Sequence, residues 1–171
     1  MDVYQAIKLR KSVRAFQERD VDEDVIHRLL ESARLAPSAK NFQEWRFVVV
    51  RDPETRRKLA MAAGGQSYVA KAPVVLVCCA EIDNHVMTCG QLCYPIDVAI
   101  AIDQITLCAV AEGLGTGWIG AFSEEQVKEI LNIPPKIRVV ELLPIGYPSD
   151  PGPAEKRRLP REAIVRYERW A

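Results

Sequence analysis

The stretch "DVAIAIDQITLCAVAEGLGTGWIGAF", residues 97–122, decides how the chain is read. From Ile96 to Ala111 the run is apolar nearly all the way round a helix, broken only by Asp97, Asp103, Gln104 and Thr106. A surface helix carries one apolar stripe, so a helix of this kind must be covered on every side. In a chain of 171 residues that predicts a central core helix, part of it buried against a second subunit. The polar interruptions make it a poor membrane span.

Immediately after this helix Gly115, Gly117 and Gly120 spell G-x-G-x-x-G. The dinucleotide fingerprint requires a strand before the glycines and a helix after them. Here the order is inverted, with a helix first and a strand expected over Thr116–Ala121, so the Rossmann reading fails. What is left is a helix C-cap at Gly113 or Gly115, and glycines that let backbone approach something closely.

Working outward, "DVYQAIKLRKS" reads as a short first helix ending near Lys11. "VDEDVIHRLLESARLA" reads as a second, with Asp22 as N-cap, a Val21–Ile26 staple and Pro37 as its stop. "WRFVVVR" (45–51), "PVVLVCCAE" (73–81) and "IRVVELLPIGYP" (137–148) read as strands. Between the first two, "DPETRRKLAMAA" is a helix capped by Asp52 with Pro53 at its first position. "SEEQVKEIL" opens on a Ser123–Gln126 capping box with a Phe122–Val127 staple. "PREAIVRYERW" reads as a final helix. The helix–strand alternation alone predicts a parallel α/β sheet.

Lys plus Arg and Asp plus Glu are 23 each, which argues against gripping nucleic acid or anionic membrane with the whole surface. The N-terminus lacks the apolar core of a secretory leader. The five cysteines, Cys78, Cys79, Cys89, Cys93 and Cys108, form an odd count without a disulfide rhythm. A reduced, cytoplasmic setting follows.

Against that neutral balance two cationic knots stand out: "RKSVRAF" (10–16), and "EKRRLP" with Lys156, Arg157 and Arg158 before Pro160. Each could be a solvated face, the first offsetting a helix dipole. Together they could close on one anion, because guanidinium forks and a hydroxyl are what hold a phosphate. "APSAKNFQEW" (36–45) is a turn rich in amides and hydroxyls, ordinary in a loop and equally suited to a flat heteroaromatic edge. His85, Cys89 and Cys93 stand at intervals of four and would stack on a helix face. They lack the fourth ligand of a closed zinc site, so no metal is expected.

In order, "RKSVRAF", "APSAKNFQEWRFVVV", "AKAPVVLVCCAE", "DVAIAIDQITLCAVAEGLGTGWIGAF" and "PIGYP…EKRRLPREAIVRYERW" resemble the nitroreductase family of flavin enzymes in its short single-domain form. The resemblance runs over essentially the whole chain, and implies one FMN-binding domain over residues 1–171. The implied fold is an α+β, α/β/α sandwich: a mixed, mostly antiparallel sheet with surrounding helices and a long helix at the centre and the dimer interface. This replaces the parallel sheet of the bare pattern.

The resemblance also implies roles. Arg10, Lys11, Ser12, Arg14, Lys156 and Arg158 would hold the phosphate and ribityl end of FMN. Pro37, Ser38 and Asn41 would come from the partner subunit of a homodimer. The backbone of Trp118, Ile119 and Gly120 would lie beside the isoalloxazine ring, with the Gln66 amide near it. NADH or NADPH would be the electron donor and a small nitroaromatic or quinone-like molecule the acceptor, with the chemistry on flavin N5 and no catalytic side chain. Two rival classes remain open: a flavin or phospholigand binder without turnover, and a redox sensor built on Cys89 and Cys93.

Overall fold

The computed structural model describes residues 1–82, 85–152 and 155–170. Helix α1 (Val3–Leu9) starts at Asp2, whose side chain accepts from Gln5 N while the Gln5 side chain accepts from Asp2 N. Helix α2 (Glu23–Arg34) begins at Asp22 as expected, but Asp22 makes no capping hydrogen bond. Its staple residues Val21 and Ile26 are fully buried. Strand β1 (Trp45–Val50) leads to α3 (Pro53–Ala62), where Asp52 accepts from Thr55 N at 2.7 Å, and then to α4 (Ser67–Lys71).

Strand β2 (Val74–Glu81) and helix α5 (Tyr94–Ala111) follow. Next come β3 (Gly115–Thr116), α6 (Glu124–Leu131) and β4 (Ile137–Gly146). Ser123 caps α6, accepting from Gln126 N. The expected final helix is a single turn, α7 (Arg161–Ile164), and Tyr167 and Trp170 beyond it are exposed.

The sheet order is β1-β2-β4-β3 and every strand pair is antiparallel. The parallel sheet suggested by helix–strand alternation does not form, for two reasons. Between β1 and β2 the chain passes through two helices that turn at Gly64 and Gly65, both at positive φ. Between β2 and β3 it does make a one-helix crossover, and the two strands point the same way. However, β4 inserts between them and runs against both. Alternation in sequence therefore does not become adjacency in the sheet.

Strand β2 is buried from Val74 to Ala80, because it has cover on both faces. Val74, Leu76, Cys78 and Ala80 face α2 and α5, packing with Ile26, Leu29, Val98, Ile102 and Ile105. Val75, Val77 and Cys79 face the other layer, with Leu59, Val69 and Val127. Helix α5 passes the length and hydropathy test for a membrane span, yet its inner face is core. Its other side carries Ile96, 44% exposed. It ends in a Schellman motif: Gly113 (φ +74°) donates to Val110 O, and Leu114 donates to Ala109 O.

One carboxylate fastens α6 to β4. Glu124 accepts from Arg138 Nε, Val139 N and Lys128 Nζ, each at 3.0 Å. Burial alone would raise its pKa; the three donors outweigh that and bring it down to about 2. A depressed carboxyl stabilises the fold fully above its unfolded value near 4.5 and loses that contribution as pH falls towards 2. Glu124→Gln should therefore lower the urea midpoint clearly at pH 7 and narrow its gap to the parent protein as pH falls from 4.5 to 2.

Candidate functional site

Residues 10–16 leave α1 in extended conformation, with Arg10 (ψ 125°) as its C-cap. Ser12 forms a parallel bridge with Thr116, and Val13 N donates to Thr116 O at 2.9 Å. The segment thus lengthens the sheet beyond β3. Side chains alternate over residues 12–14: Val13 is buried, while Ser12 and Arg14 face solvent. The neighbouring glycines explain the contact. A Cβ on Gly115 would stand 2.4 Å from Val13 Cγ2, and one on Gly117 2.8 Å from Val13 O. The close approach expected at these glycines is to the basic segment itself.

The second knot converges on the first. Lys156 Nζ donates to the carbonyl of Ile7 at the end of α1, a position beside Arg10. Its pKa is lowered by burial and then by the charges of Arg10 and Arg158. The helix-dipole role foreseen for residues 10–14 therefore falls partly to Lys156. Lys11 donates to Gly152 O and lies 4.0 Å from Asp150. Among the described residues no carboxylate pairs with Arg10, Arg14, Lys156 or Arg158. Like charges gathered without a counter-ion raise the energy of the free protein, and a bound dianion reverses the sign of that term.

Next along the chain is an open backbone edge. Gly117 N donates to Pro144 O, and Ile119 and Leu142 exchange hydrogen bonds of 3.0 and 3.1 Å. Strand alternation then directs the amides of Trp118 and Gly120 away from β4. Ile119 is buried with its N–H and C=O engaged, so of the three it has the least to offer a ligand. Gln66 Nε2 donates to Ala63 O at 2.9 Å and to Ala121 O at 3.4 Å, and Gln66 Oε1 accepts from Tyr68 OH. Gln66 is thus beside this edge. Tyr68, which sequence reasoning missed, lies 3.7 Å from the Cβ position of Gly117.

The 37–41 turn is elsewhere in the chain. Ala39 N donates to Asp97 Oδ2 at 3.0 Å and Gln43 N to Ser38 Oγ at 3.0 Å. Lys40, Asn41 and Gln43 all adopt positive φ, an unusual density for non-glycine residues. Asp97 belongs to the first turn of α5, whereas Gly113–Thr116 lies past its last turn. At 1.5 Å per residue those ends are about 24 Å apart. One chain therefore gathers Arg10, Lys11, Ser12, Arg14, Lys156 and Arg158, and places Gln66, Trp118, Ile119 and Gly120 next to them. Pro37, Ser38 and Asn41 stay at the far end of the helix from the cations.

The helical stacking expected for His85, Cys89 and Cys93 does not occur. Val86 and Leu92 pair across a short hairpin, and Cys93 is the N-cap residue of α5. Part of that segment, residues 83–84, lies outside the described residues. Cys93 Sγ donates to Glu44 Oε2 and to His85 O, 3.5 Å each. Glu44, Cys93 and Asp97 are buried with their side-chain ligand atoms within 4.8 Å of one another. Burial, then Glu44 and Asp97, raise the Cys93 thiol. Burial raises Cys79 to about 11 and Cys78 well above the ordinary range. These three thiols are kept protonated and unreactive near neutral pH.

A further ionisable group sits behind the open edge. Glu141 of β4 is half-buried, and burial pushes its carboxyl up to about 7. A Cβ on Gly120 would be 3.6 Å from Glu141 Oε2. The signal in the sequence was a single acid inside the apolar run "VVELLPIG".

Comparison with known proteins identifies the family and the fold. The Nitroreductase family profile matches residues 7–147. A Thermus thermophilus protein named NADH dehydrogenase is 33% identical, over 96% of this chain and 95% of its own length. A nitroreductase family protein from Clostridium novyi NT superposes with a TM-score of 0.83 at 37% identity, covering 88% of this chain and 87% of that one. The NADPH:FMN oxidoreductase of Vibrio harveyi, solved with NAD+, superposes with a TM-score of 0.90 at 27% identity, over 99% of this chain and 78% of the other. The α+β sandwich is thus that of flavin reductases and their kin. The chain belongs to the nitroreductase family.

The contact between the basic segment and β3 can be tested directly. Gly117→Ala would press a methyl group onto the Val13 carbonyl and lever residues 12–14 off the strand. Hydrogen exchange at the Val13 amide should accelerate by roughly tenfold or more, the loss of one protected sheet bond, with far-UV circular dichroism unchanged.

Proposed function

We propose that this chain is an FMN-dependent oxidoreductase that uses NADH or NADPH to reduce a small nitroaromatic or quinone-like acceptor, working as a cytoplasmic homodimer with residues 1–171 as one domain. The class is that of NAD(P)H-dependent FMN oxidoreductases. The observation that carries the proposal is the convergence of two cationic knots, in which Arg10, Arg14, Lys156 and Arg158 have no carboxylate partner among the described residues, beside the open Trp118–Gly120 edge.

The donor set fits the cofactor from end to end. Arg10, Lys11, Ser12, Arg14, Lys156 and Arg158 offer the guanidinium, ammonium and hydroxyl groups that a dianionic phosphate and a ribityl chain take. The outward amides of Trp118 and Gly120, with Gln66 behind Ala121, face the polar rim of a flat ring. When bound, FMN supplies the hydride chemistry, receiving from the nicotinamide and delivering to the acceptor in alternating, ping-pong half-reactions. The chain supplies position, charge and exclusion of water.

A second copy completes this site. Pro37, Ser38 and Asn41 are separated from the cations by the length of α5, and the outer face of α5 is apolar around Ile96, next to the 37% exposed Trp118. Two chains packed through that face would bring the turn of one over the cofactor of the other. A flavin binder without turnover shares all the cations and is separated only by reduction.

Visible absorption of the purified protein, before and after anaerobic NADH and then NADPH, tests the proposal. Flavin bands that bleach establish the oxidoreductase and name its donor. Bands that persist with both leave a carrier, and a protein that refuses added FMN overturns the reading. Arg14→Ala and Lys156→Ala should each weaken FMN binding roughly ten- to hundredfold, as expected for one charge-assisted contact, while shifting the melting temperature of the apoprotein far less.

A further inference from the structure

Beyond binding and positioning, the structure holds one acid that the proposed reaction does not yet use. Glu141 projects from β4 on the face it shares with its register partner Cys78. Among the described residues it has no hydrogen-bond or ion-pair partner. The side chain that could cover it is missing, because residue 120 is glycine. The nearest open backbone is the edge to which the cofactor ring is assigned.

Resting on the FMN reading above, we propose that Glu141 is the charge-compensating acid of the redox site: its carboxylate takes up a proton as the site gains electrons and releases it as they leave. Two electrons and one proton arrive together as hydride from the nicotinamide, adding one negative charge to the site. Glu141 binds a solvent proton and restores neutrality. When a quinone-like acceptor takes the hydride, the Glu141 proton supplies the second hydrogen of the hydroquinone. The sum is NAD(P)H, quinone and one proton going to NAD(P)+ and hydroquinone.

The surroundings leave this equilibrium to Glu141. Burial alone sets its carboxyl near 7, with no charged neighbour contributing. On β2 the facing group is the Cys78 thiol, held neutral by burial. On α5 the ionisable groups are Tyr94, Asp97, Asp103 and the partly buried thiol of Cys108. Tyr94 OH is hydrogen-bonded by Arg138, and Asp97 holds Ala39 N. Asp103 is exposed. On α6, Glu124, Glu125, Lys128 and Glu129 belong to the layer across the sheet. The segment from Trp118 to Gly120 carries no ionisable side chain.

The test is a spectroelectrochemical titration of the FMN-loaded protein from pH 5.5 to 8.5, with proton uptake followed by an indicator dye. Above about pH 7 the parent protein should take up one proton more per two electrons than Glu141→Gln, and below about pH 6 the same number. Gly120→Ala fits with ordinary contacts, and should move the onset of the extra proton to higher pH by shielding the carboxyl. This second variant decides the matter if Glu141→Gln does not fold. Equal proton counts at every pH in the parent and Glu141→Gln, or an onset unmoved by Gly120→Ala, overturn the role of Glu141 while leaving the flavin enzyme in place. Failure to hold FMN at all removes both readings.

Discussion

The site depends on one close approach, that of Val13 to β3. Without side chains at 115 and 117 the strand can receive residues 12–14 as a further, parallel neighbour, with Val13 wedged inward and its carbonyl against Gly117. Strand alternation then dictates the rest: if Val13 points in, Ser12 and Arg14 must point out. Arg10 is held at the end of α1, whose last carbonyls also anchor Lys156. The cationic cluster is therefore a consequence of backbone packing at two glycines, and among the described residues only its Lys11 lies near a carboxylate, Asp150 at 4.0 Å. The glycines do for this segment what they do for a pyrophosphate in a dinucleotide fold, admitting something close, but the thing admitted is protein.

Helix α5 makes the site bipartite. It is a core helix on the face of Val98, Ile102 and Ile105, and its two ends hold the two groups of residues that the proposed site would unite. The first turn fixes the 37–41 turn through Asp97, and the Schellman motif at Gly113 turns the chain back into β3. An 18-residue helix is too long for both ends to touch the phosphate of one cofactor. Separation within a chain and an apolar outer face are what support the proposed completion by a symmetric second copy.

Much of this was legible in the sequence. The apolar circumference of 96–111 announced a core helix, and the inverted order around Gly115 excluded the Rossmann site. Caps at Asp52 and Ser123 also stood where they were read. What the residues alone did not reveal was adjacency. "PVVLVCCAE" looks like a buried central strand, and it is one, but nothing local says that β4 will insert between it and β3. The parallel sheet was inferred from order alone, and the antiparallel one came from the family resemblance. The site divided the same way. Charge clusters and amide-rich turns are visible as composition, whereas Tyr68, Asp97 and Glu141 matter through contacts made across the fold. The helical spacing of His85, Cys89 and Cys93 was real as numerology only, because the chain turns at Val86–Leu92 before α5 begins.

A cofactor held in this way differs physically from one on a glycine-rich helix N-terminus. There the donors are backbone N–H groups and a dipole, fixed by the fold and indifferent to salt at short range. On the proposed reading much of the phosphate attraction would come from long side chains, some of them exposed, gathered from positions as far apart as Arg10 and Lys156. Burial first, and then repulsion from Arg10 and Arg158, lowers the pKa of Lys156. Since the cations attract through solvent, affinity falls as ionic strength rises. The ring end obeys the opposite rule: backbone amides and a half-buried acid respond to protonation and packing more than to salt. On the proposed reading phosphate and flavin would be governed by separate variables, and redox chemistry would be tuned at Glu141 and Gly120 without loosening the hold at Arg14.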